Sequence, residues 1–300
     1  MIRINASFAM LLTMLLLAAS AALFPRVALA TPSLDGCTGV LHAGSNPQAM
    51  ATADAPGIWC LDQDLASAVV VVDSYFAMVV ITADDVTIDC RGYRIEFQGT
   101  AEFSYGVSAL GPRQRSTIRN CAFRGFTNAI SAYGEDFLIE DNVVEASRQS
   151  IFGDGTAINA NGSGTIRRNR IHDAVSRAIS TKGGSIVRDN LIDGVVDPGG
   201  RQAVGIEIMD PTSAEVRGNT IRGLGPVVES AQHIAISFYA VNGSSGALVV
   251  DNVLVHAGAD GSLGLSCGGL NIRVADNIIE GFIAPLNFGC VDTGDNDISP

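Results

Sequence analysis

The sequence is almost without lysine and tryptophan, and basic residues are scarce altogether. Lys182 is the only lysine and Trp59 the only tryptophan, and 19 Lys and Arg face 31 Asp and Glu, a formal net charge of −12. A chain this acidic repels phosphate backbones and anionic headgroups, which excludes nucleic acids and acidic lipid surfaces as general partners. No C-x-x-C spacing occurs, which argues against a zinc cluster or a thioredoxin-like site.

Long hydrophobic runs are missing after residue 30, so no membrane span is expected in the mature chain. The first 30 residues combine Arg3, an apolar run from Phe8 to Phe24 and an Ala28-Leu29-Ala30 site. This pattern predicts a signal peptide cleaved after Ala30, and therefore a secreted or periplasmic protein. The alternative is an uncleaved anchor, since the run is slightly long for a signal peptide.

The six cysteines fit an exported chain, in which an even number suggests disulfides. Nearest-neighbour pairing predicts the bridges Cys37–Cys60, Cys90–Cys121 and Cys267–Cys290. Free buried thiols are the alternative for any of the three pairs.

A helical rhythm of about 3.6 residues is absent, and a longer repeat takes its place. Phrases such as "LIEDNVV", "TIRRNRI" and "IVRDNLI" return at intervals of roughly 19 to 33 residues, a spacing typical of solenoids. Most place an asparagine among apolar strand residues. The asparagines are Asn120, Asn142, Asn169, Asn190, Asn219, Asn252, Asn277 and Asn296.

A second phrase, as in "NAISAYG", "TAINANG" and "RAISTKG", alternates with the first. Each repeat thus holds short strands with a period of two, separated by glycine-rich turns. Such repeats predict an all-β fold, a single-stranded parallel β-helix of about eight coils. Stacked at one corner, the eight asparagines would form a ladder of hydrogen-bonded amides.

The chain resembles the right-handed parallel β-helix proteins of the pectin-lyase-like superfamily, above all those with short parallel-β-helix repeats. The segment "ITADDVTIDCRGYRIEF", residues 81 to 97, is similar to the first coil of that family. The expected organisation is a signal peptide over 1–30, an N-terminal cap with leading strands over 31–85, and a right-handed β-helix over 86–300. The resemblance specifies a fold that carries many activities.

The enzymes of this superfamily have motifs that the chain does not reproduce. The N-T-D, G-H-G and R-I-K phrases of polygalacturonases and the W-x-D-H phrase of pectate lyases are missing. Whether the chain is an enzyme therefore stays open, and if it is one, the fold implies a polysaccharide lyase, epimerase or hydrolase. No cofactor and no metal site are expected; calcium is a possible ligand, but no motif supports a site for it.

Loop length and strand alternation indicate where a ligand would bind. Inserts such as "QSIFGDG" and "VVDPGGRQ" follow the asparagine strands, and in a solenoid such inserts emerge on one side. The outward positions of the adjacent strands are rich in hydroxyls, amides and tyrosines, which suit a sugar chain. The candidate ligand-binding residues are Ser131, Tyr133, Asn159, Asn161, Ser180, Glu207 and Tyr239. The alternatives are that the loop lengths vary without any functional consequence and that the polar strip is an ordinary solvent-exposed face of a sheet.

Three residues are candidates for catalysis, each with a simpler structural interpretation. Lys182 would stand on the same strip near Glu207, as a base or as an exposed solubilising lysine. His172 would lie between Glu145 and Asp193, as an acid–base group or as part of a charge ladder. His233 ends the longest insert.

These patterns favour an exported protein that binds, and in a further hypothesis modifies, a polysaccharide or cell-surface glycan. The alternatives are a non-catalytic scaffold or interaction rod, and a polysaccharide lyase or epimerase. A groove with clustered Lys, Arg, His or Tyr side chains would favour an enzyme, and a flat surface with scattered side chains would favour the scaffold.

Overall fold

The computed structural model describes residues 35–42, 49–70, 75–109, 111–150, 155–226, 232–240, 246–258 and 261–299. The chain divides into Met1–Ser33 and Leu34–Pro300. The predicted signal peptide lies outside the described residues, and all the described strands belong to the second unit.

Every regular element of the described residues is a β-strand. The first ten are β1 (Gly39–Val40), β2 (Ala49–Ala53), β3 (Gly57–Cys60), β4 (Leu65–Ser67), β5 (Tyr75–Ile81), β6 (Val86–Asp89), β7 (Arg94–Phe97), β8 (Phe103–Ala109), β9 (Arg113–Gln114) and β10 (Thr117–Arg119). The next ten are β11 (Ala122–Arg124), β12 (Asn128–Glu140), β13 (Val143–Glu145), β14 (Thr156–Arg167), β15 (Arg170–Val175), β16 (Arg177–Lys182), β17 (Ile186–Arg188), β18 (Leu191–Asp197), β19 (Gln202–Met209) and β20 (Glu215–Arg217). The last are β21 (Thr220–Pro226), β22 (Gln232–Tyr239), β23 (Leu248–Val250), β24 (Val253–Val255), β25 (Ser262–Ser266), β26 (Ile272–Ala275), β27 (Ile278–Glu280), β28 (Ala284–Leu286), β29 (Cys290–Gly294) and β30 (Asp297–Ser299).

The strands stack in parallel on three faces, which is the architecture of a parallel β-helix. The first face holds the strands that precede each asparagine, from β1 and β3 through β17 to β29. The second face holds ten strands, of which all but the first two follow an asparagine: β4, β7, β11, β13, β15, β18, β21, β24, β27 and β30. The third face holds the remaining long stack, from β2 and β5 through β16 to β28. The long strands β12 and β14 run through both the third and the first face.

The core is built from branched aliphatic side chains that stack coil upon coil. On the first face Ile139, Ile166 and Val187 are in register, and on the third face Ile158 and Ile179 are in register. All five are fully buried. The period of two places these residues inward and leaves the alternate positions to solvent.

The bend from the first to the second face has a recurring backbone conformation. The residue before each stacked asparagine from Asn142 to Asn277 has a positive φ, for example 56° at Asp141, 53° at Arg168 and 56° at Asp189. Asp, Asn and Gly tolerate this left-handed region better than other residues, which explains why "DN" recurs in the sequence.

The asparagines themselves form a buried ladder along this corner. The Asn142 Nδ2 donates to Asn169 Oδ1 over 3.0 Å, and Asn169 Nδ2 donates to Asn190 Oδ1 over 3.0 Å. The same bond continues through Asn219, Asn252, Asn277 and Asn296. Each carboxamide oxygen also accepts the backbone N–H of the preceding coil, as Asn169 Oδ1 does from Asn142.

The prediction that Asn120 belongs to this ladder is wrong. Asn120 is exposed and occupies the left-handed bend, with a φ of 56°. Cys121 takes the ladder position instead, and its backbone N–H donates to Asn142 Oδ1 over 3.1 Å. The reason is the disulfide to Cys90, whose Cα lies 4.7 Å from that of Cys121, so a covalent link joins the coils where amides join the later ones.

All three predicted disulfides are confirmed. Cys37–Cys60 and Cys267–Cys290 join Cα atoms 5.9 and 5.2 Å apart, a separation close to the spacing of neighbouring strands. The stack is longer than the eight expected coils, because β4 and β7 lie on the second face ahead of the first asparagine. In the described part of the chain, no helix has the length and hydropathy to cross a bilayer.

Candidate functional site

The outward positions of the third face form a polar column, in the register that the alternation predicts. Ser131 pairs with Asn159, Asn159 with Ser180 and Ser180 with Glu207. Ser108 precedes this column in the same register. Since each coil advances by about 4.8 Å, the column places one polar side chain per coil at nearly even spacing. Ser108 and the predicted ligand-binding residue Ser180 are buried, however, at 3% and 4% exposed.

A second outward column lies two residues further along the same strands. Tyr133 pairs with Asn161, and Lys182 pairs with Met209, which in turn pairs with Tyr239. The Tyr133 side chain is 43% exposed and that of Tyr239 62%. Tyrosine faces left open to solvent offer stacking surfaces for a ring-shaped ligand.

The second column borders a cavity of about 450 Å³ at the turn from the third face to the first. The cavity brings together Lys182, Tyr133 and Asn161, three of the residues that the sequence predicted, from three successive coils. The sequence did not single out the other polar residues that line it, which are Asp84, Arg113, Gln114 and Glu135.

Close backbone approach shapes this cavity. Gly162, next to Asn161, has a φ of 154°, and a Cβ at this position would lie 1.7 Å from the carbonyl oxygen of Gly134. Only glycine fits such an approach, so the two strands turn together and leave the side chains of Tyr133 and Asn161 at the rim. On the other side, the Gln114 backbone N–H donates to Asp84 Oδ1 over 3.0 Å and holds that carboxylate in place.

The cavity can bind a ligand through several kinds of contact at once. It contains an ammonium group, a guanidinium group, two carboxylates, two carboxamides and a phenol ring. Sugar hydroxyls donate and accept hydrogen bonds, and sugar rings stack on aromatic faces, so this mixture matches their chemistry.

The carboxylate expected near Lys182 is bound elsewhere. Ser180 Oγ donates to Glu207 Oε2 over 3.0 Å, and Arg177 Nε lies 3.0 Å from the same oxygen without making a hydrogen bond. Glu207 therefore contacts Ser180 and Arg177, the residue that begins β16, whereas Lys182 is the last residue of that strand.

His172 lies on the second face, so it is not brought together with Lys182. It pairs with Glu145 and Asp193 in the register that the repeat predicts. Arg222 Nη2 donates to Asp193 Oδ2 over 2.8 Å. Arg124 also pairs in register with Glu145, which extends the alternation of charge and favours the structural interpretation of His172.

His233 is buried in the interior, not exposed beside an insert, which corrects the expectation for this residue. Only 1% of it is exposed, because its position in β22 faces inward, in register with Ala203 and Ser262. Its Nδ1 lies 3.2 Å from His256 Nε2, and the two rings stack with centroids 5.2 Å apart. Burial lowers the pKa of both histidines, and in His256 the neighbouring His233 adds to the effect.

The sequence did not reveal the His233–His256 pair, because His256 falls outside both repeated phrases. Its Nδ1 accepts the Gly258 backbone N–H over 3.1 Å, so a neutral His256 carries its proton on Nε2 and donates toward His233. Two stacked, neutral, inward-facing imidazoles have no access to a ligand.

No group of three or more His, Cys, Asp or Glu residues that could hold a metal ion occurs among the residues that the structure describes.

The comparisons with known proteins identify the fold and nothing narrower. A family model described as "Right handed beta helix region" matches residues 105–280, more than half of the chain. No curated protein matches, and neither does any solved structure.

Proposed function

The chain belongs to the right-handed beta helix family, and on this fold we propose that it is an exported protein that binds a polysaccharide across its third face. The observation that carries the proposal is the cavity in which Tyr133, Asn161 and Lys182 converge from successive coils. A cluster of this kind favours glycan binding over the alternative of a flat interaction rod.

Export is part of the proposal and has its own support. The three disulfides suit an oxidising compartment, and the N-terminal segment has the features of a signal peptide. The N-terminal residue of the protein recovered outside the cytoplasm is expected to be Thr31. Recovery of an intact N-terminus in a membrane fraction would instead support an anchor.

A glycan array probed with residues 31–300 tests the binding. Tyr133→Ala removes the stacking surface, and Lys182→Ala removes the ammonium group. Each variant is expected to bind the retained glycan about tenfold more weakly, which is the effect of losing a single good contact. Arg273→Ala is the control, because Arg273 is an exposed base on the first face, away from this cavity.

Two outcomes of the array would contradict the proposed glycan site. If no glycan is retained, or if the cavity variants bind as well as the wild type and the Arg273 variant, the third-face cavity is not a glycan site. The scaffold alternative would then account better for the chain.

Lys182 would be the base in the alternative function, a lyase or epimerase that acts on an acidic uronate polymer instead of an uncharged glycan. A lysine that has lost its proton can abstract a proton next to a uronate carboxylate. Uronate polymers incubated with the protein would then gain absorbance from new unsaturated ends, and Lys182→Ala would abolish the gain. His172→Ala is the control and is expected to leave any activity unchanged, since His172 lies on another face.

A further inference from the structure

A second, smaller cavity lies at the opposite end of the third-face strands. It measures about 320 Å³ and is lined by Ser176, Arg177, Asp197, Arg201 and Gln202. Ser176 and Arg177 lie at the start of β16, Asp197 ends β18, and Arg201 and Gln202 lie where the following insert leads into β19. The cavity is therefore on the insert side, where the sequence predicted a ligand, but none of its lining residues was a predicted site residue.

The insert that closes this cavity is braced from within. Asp197 is 1% exposed, and its carboxylate accepts the backbone N–H groups of Gly199, Arg201 and Gln202 over 3.0, 2.7 and 2.8 Å. Burial raises the pKa of Asp197, but these three bonds outweigh burial and hold the pKa below its usual range. The insert is thus fixed by a charged anchor that leaves the side chains of Arg201 and Gln202 exposed.

Arg177, which lines the cavity, lies next to an acceptor that is not itself part of the lining. The Arg177 guanidinium and the Glu207 carboxylate meet at 3.0 Å, and Ser180 Oγ completes the contact to Glu207. The Arg177 side chain is 29% exposed and that of Glu207 16%, so both present part of their surface to solvent. Neighbouring hydroxyls of a sugar need a donor and an acceptor side by side.

The charged groups at the two cavities indicate which class of sugar they suit. The lining of the cavity contains the guanidinium groups of Arg177 and Arg201 and the Asp197 carboxylate, and the Glu207 carboxylate, 3.0 Å from Arg177 Nε, adds a second negative charge beside the lining. The larger cavity is balanced in the same way, with Arg113 and Lys182 against Asp84 and Glu135. Neither site has an excess of positive charge to offset the acidic chain, so neither favours a polyanion.

From these observations we propose that the Arg177 cavity is a second subsite for the same glycan, and that it takes the hydroxyl groups of an uncharged sugar. This inference rests on the proposed glycan binding. Strand β16 carries Arg177 at one end and Lys182 at the other, about 16 Å apart at a rise of about 3.3 Å per residue. A ligand of several sugars therefore reaches both cavities, and a disaccharide reaches one.

Ligand length tests the subsite. The probes are disaccharides and hexasaccharides of neutral cello-, malto- and manno-series, with oligogalacturonates as acidic counterparts, measured by calorimetry on residues 31–300. Arg177→Gln is expected to weaken a neutral hexasaccharide about tenfold and to leave the disaccharide of the same series unchanged. Lys182→Ala is expected to weaken both.

Arg188→Gln is a closely matched control. Arg188 is 28% exposed, against 29% for Arg177, and it lies on the first face with Asp189 as its ionic neighbour at 4.0 Å. Arg201→Ala is a second test variant, because Arg201 is an exposed residue of the insert that lines the cavity. Hexasaccharide binding is expected to weaken in the Arg201 variant and to stay at the wild-type level in the Arg188 variant.

The outcomes separate the two proposals. Hexasaccharide binding that is unchanged in both Arg177→Gln and Arg201→Ala, but lost in Lys182→Ala, overturns the second subsite and leaves glycan binding intact. Oligogalacturonate that binds more tightly than every neutral series, with an affinity that falls as salt rises, overturns the uncharged class. A wild-type chain that binds none of the probes overturns both proposals.

Discussion

At the scale of single residues, the asparagine corner shows how one side chain can be needed by two coils. The Asn190 carboxamide donates to Ile166 O and Asn219 Oδ1, and it accepts the backbone N–H and the Nδ2 of Asn169. All of these groups are buried. A buried polar group that loses its hydrogen-bond partner lowers the stability of the fold by about 1–3 kcal/mol. The ladder therefore matters to the stack mainly because the loss of one asparagine leaves several such groups unpaired.

Asn190→Ala is therefore expected to lower the free energy of unfolding by about 3 kcal/mol or more, since it leaves several buried groups unpaired. Urea denaturation of the two proteins measures the difference. Asn120→Gly is the matched control, because Asn120 lies in the exposed bend with a φ of 56°, which suits glycine. This control is expected to lose less than about 1 kcal/mol, and equal losses in the two variants would contradict the ladder's role.

The same pair of positions shows what the sequence could and could not predict. An asparagine among apolar residues predicted the corner and its ladder in seven coils. At Asn120 the predicted ladder position was wrong by one residue. In "NC" the asparagine occupies the bend, whereas in "DN" the aspartate occupies the bend and the asparagine the ladder, and an alignment on asparagine alone does not distinguish the two. The disulfide at Cys121 was predicted separately, and only the register of β11 against β13 shows that it replaces an amide.

The buried histidine pair makes stability depend on pH. The pKa of His233 and of His256 lies below the ordinary value of 6.5 in the folded chain, chiefly because burial disfavours the charged ring. The unfolded chain then binds more protons than the folded one once the pH falls toward and below 6.5, so stability rises with pH across that window and is lost on acidification.

We expect the free energy of unfolding to fall between about pH 7.5 and pH 5.5, and His233→Leu to at least halve that slope. Leucine suits the apolar surroundings, and the Leu224 carbonyl remains as an acceptor for His256. His172→Gln, on the second face, is the control and is expected to keep the wild-type slope. An unaltered slope in His233→Leu would show that other groups govern the acid response.

At the scale of strands and loops, alternation predicted more than loop length did. The outward columns of the third face follow from the period of two, and the register of β12, β14 and β16 aligns Ser131, Asn159 and Ser180 as expected. The cavity at Lys182 did not follow from the inserts. It forms at the opposite corner, where Gly134 and Gly162 allow two backbones to approach closely, and a repeat alignment contains no measure of that distance.

The insert between β18 and β19 depends on one buried carboxylate, which gives a prediction at this scale. Asp197→Ala removes the acceptor of three backbone N–H groups and is expected to loosen residues 198–202. Trypsin should then cut after Arg201 at least about tenfold faster, because cleavage follows the population of the locally open loop.

Mass spectrometry of the fragments over time measures the rate of this cut, and Asp251→Asn is the control for loss of an acid at a distant bend. Asp251 has a φ of 57°, a conformation that asparagine tolerates. Cleavage after Arg201 at an unchanged rate in Asp197→Ala would mean that the loop is held by other contacts.

At the scale of the whole stack, stability is a sum over neighbouring coils. In a solenoid each coil contacts only the coils beside it, so the coils can open in sequence from an end instead of all at once. The disulfides lie toward the ends of the described stack: Cys37–Cys60 and Cys90–Cys121 link early strands, and Cys267–Cys290 links late ones. The middle coils, from β14 to β21, contain no cysteine and depend on core packing and the asparagine ladder.

Removing the late bridge should therefore open one end without loosening the middle. A bridge that closes a loop of this length stabilises by about 3 kcal/mol, so Cys267→Ala with Cys290→Ala is expected to speed hydrogen exchange in residues 261–299 about a hundredfold. Exchange in β14, β16 and β19 should stay at the wild-type rate, since these strands do not contact the bridge. The matched variant, Cys37→Ala with Cys60→Ala, should loosen β1 and β3 and leave the late strands unchanged. Faster exchange spread evenly over all the strands in either variant would show that the stack unfolds as one cooperative unit. Faster exchange confined to one end is expected only if each coil is stabilised by its immediate neighbours.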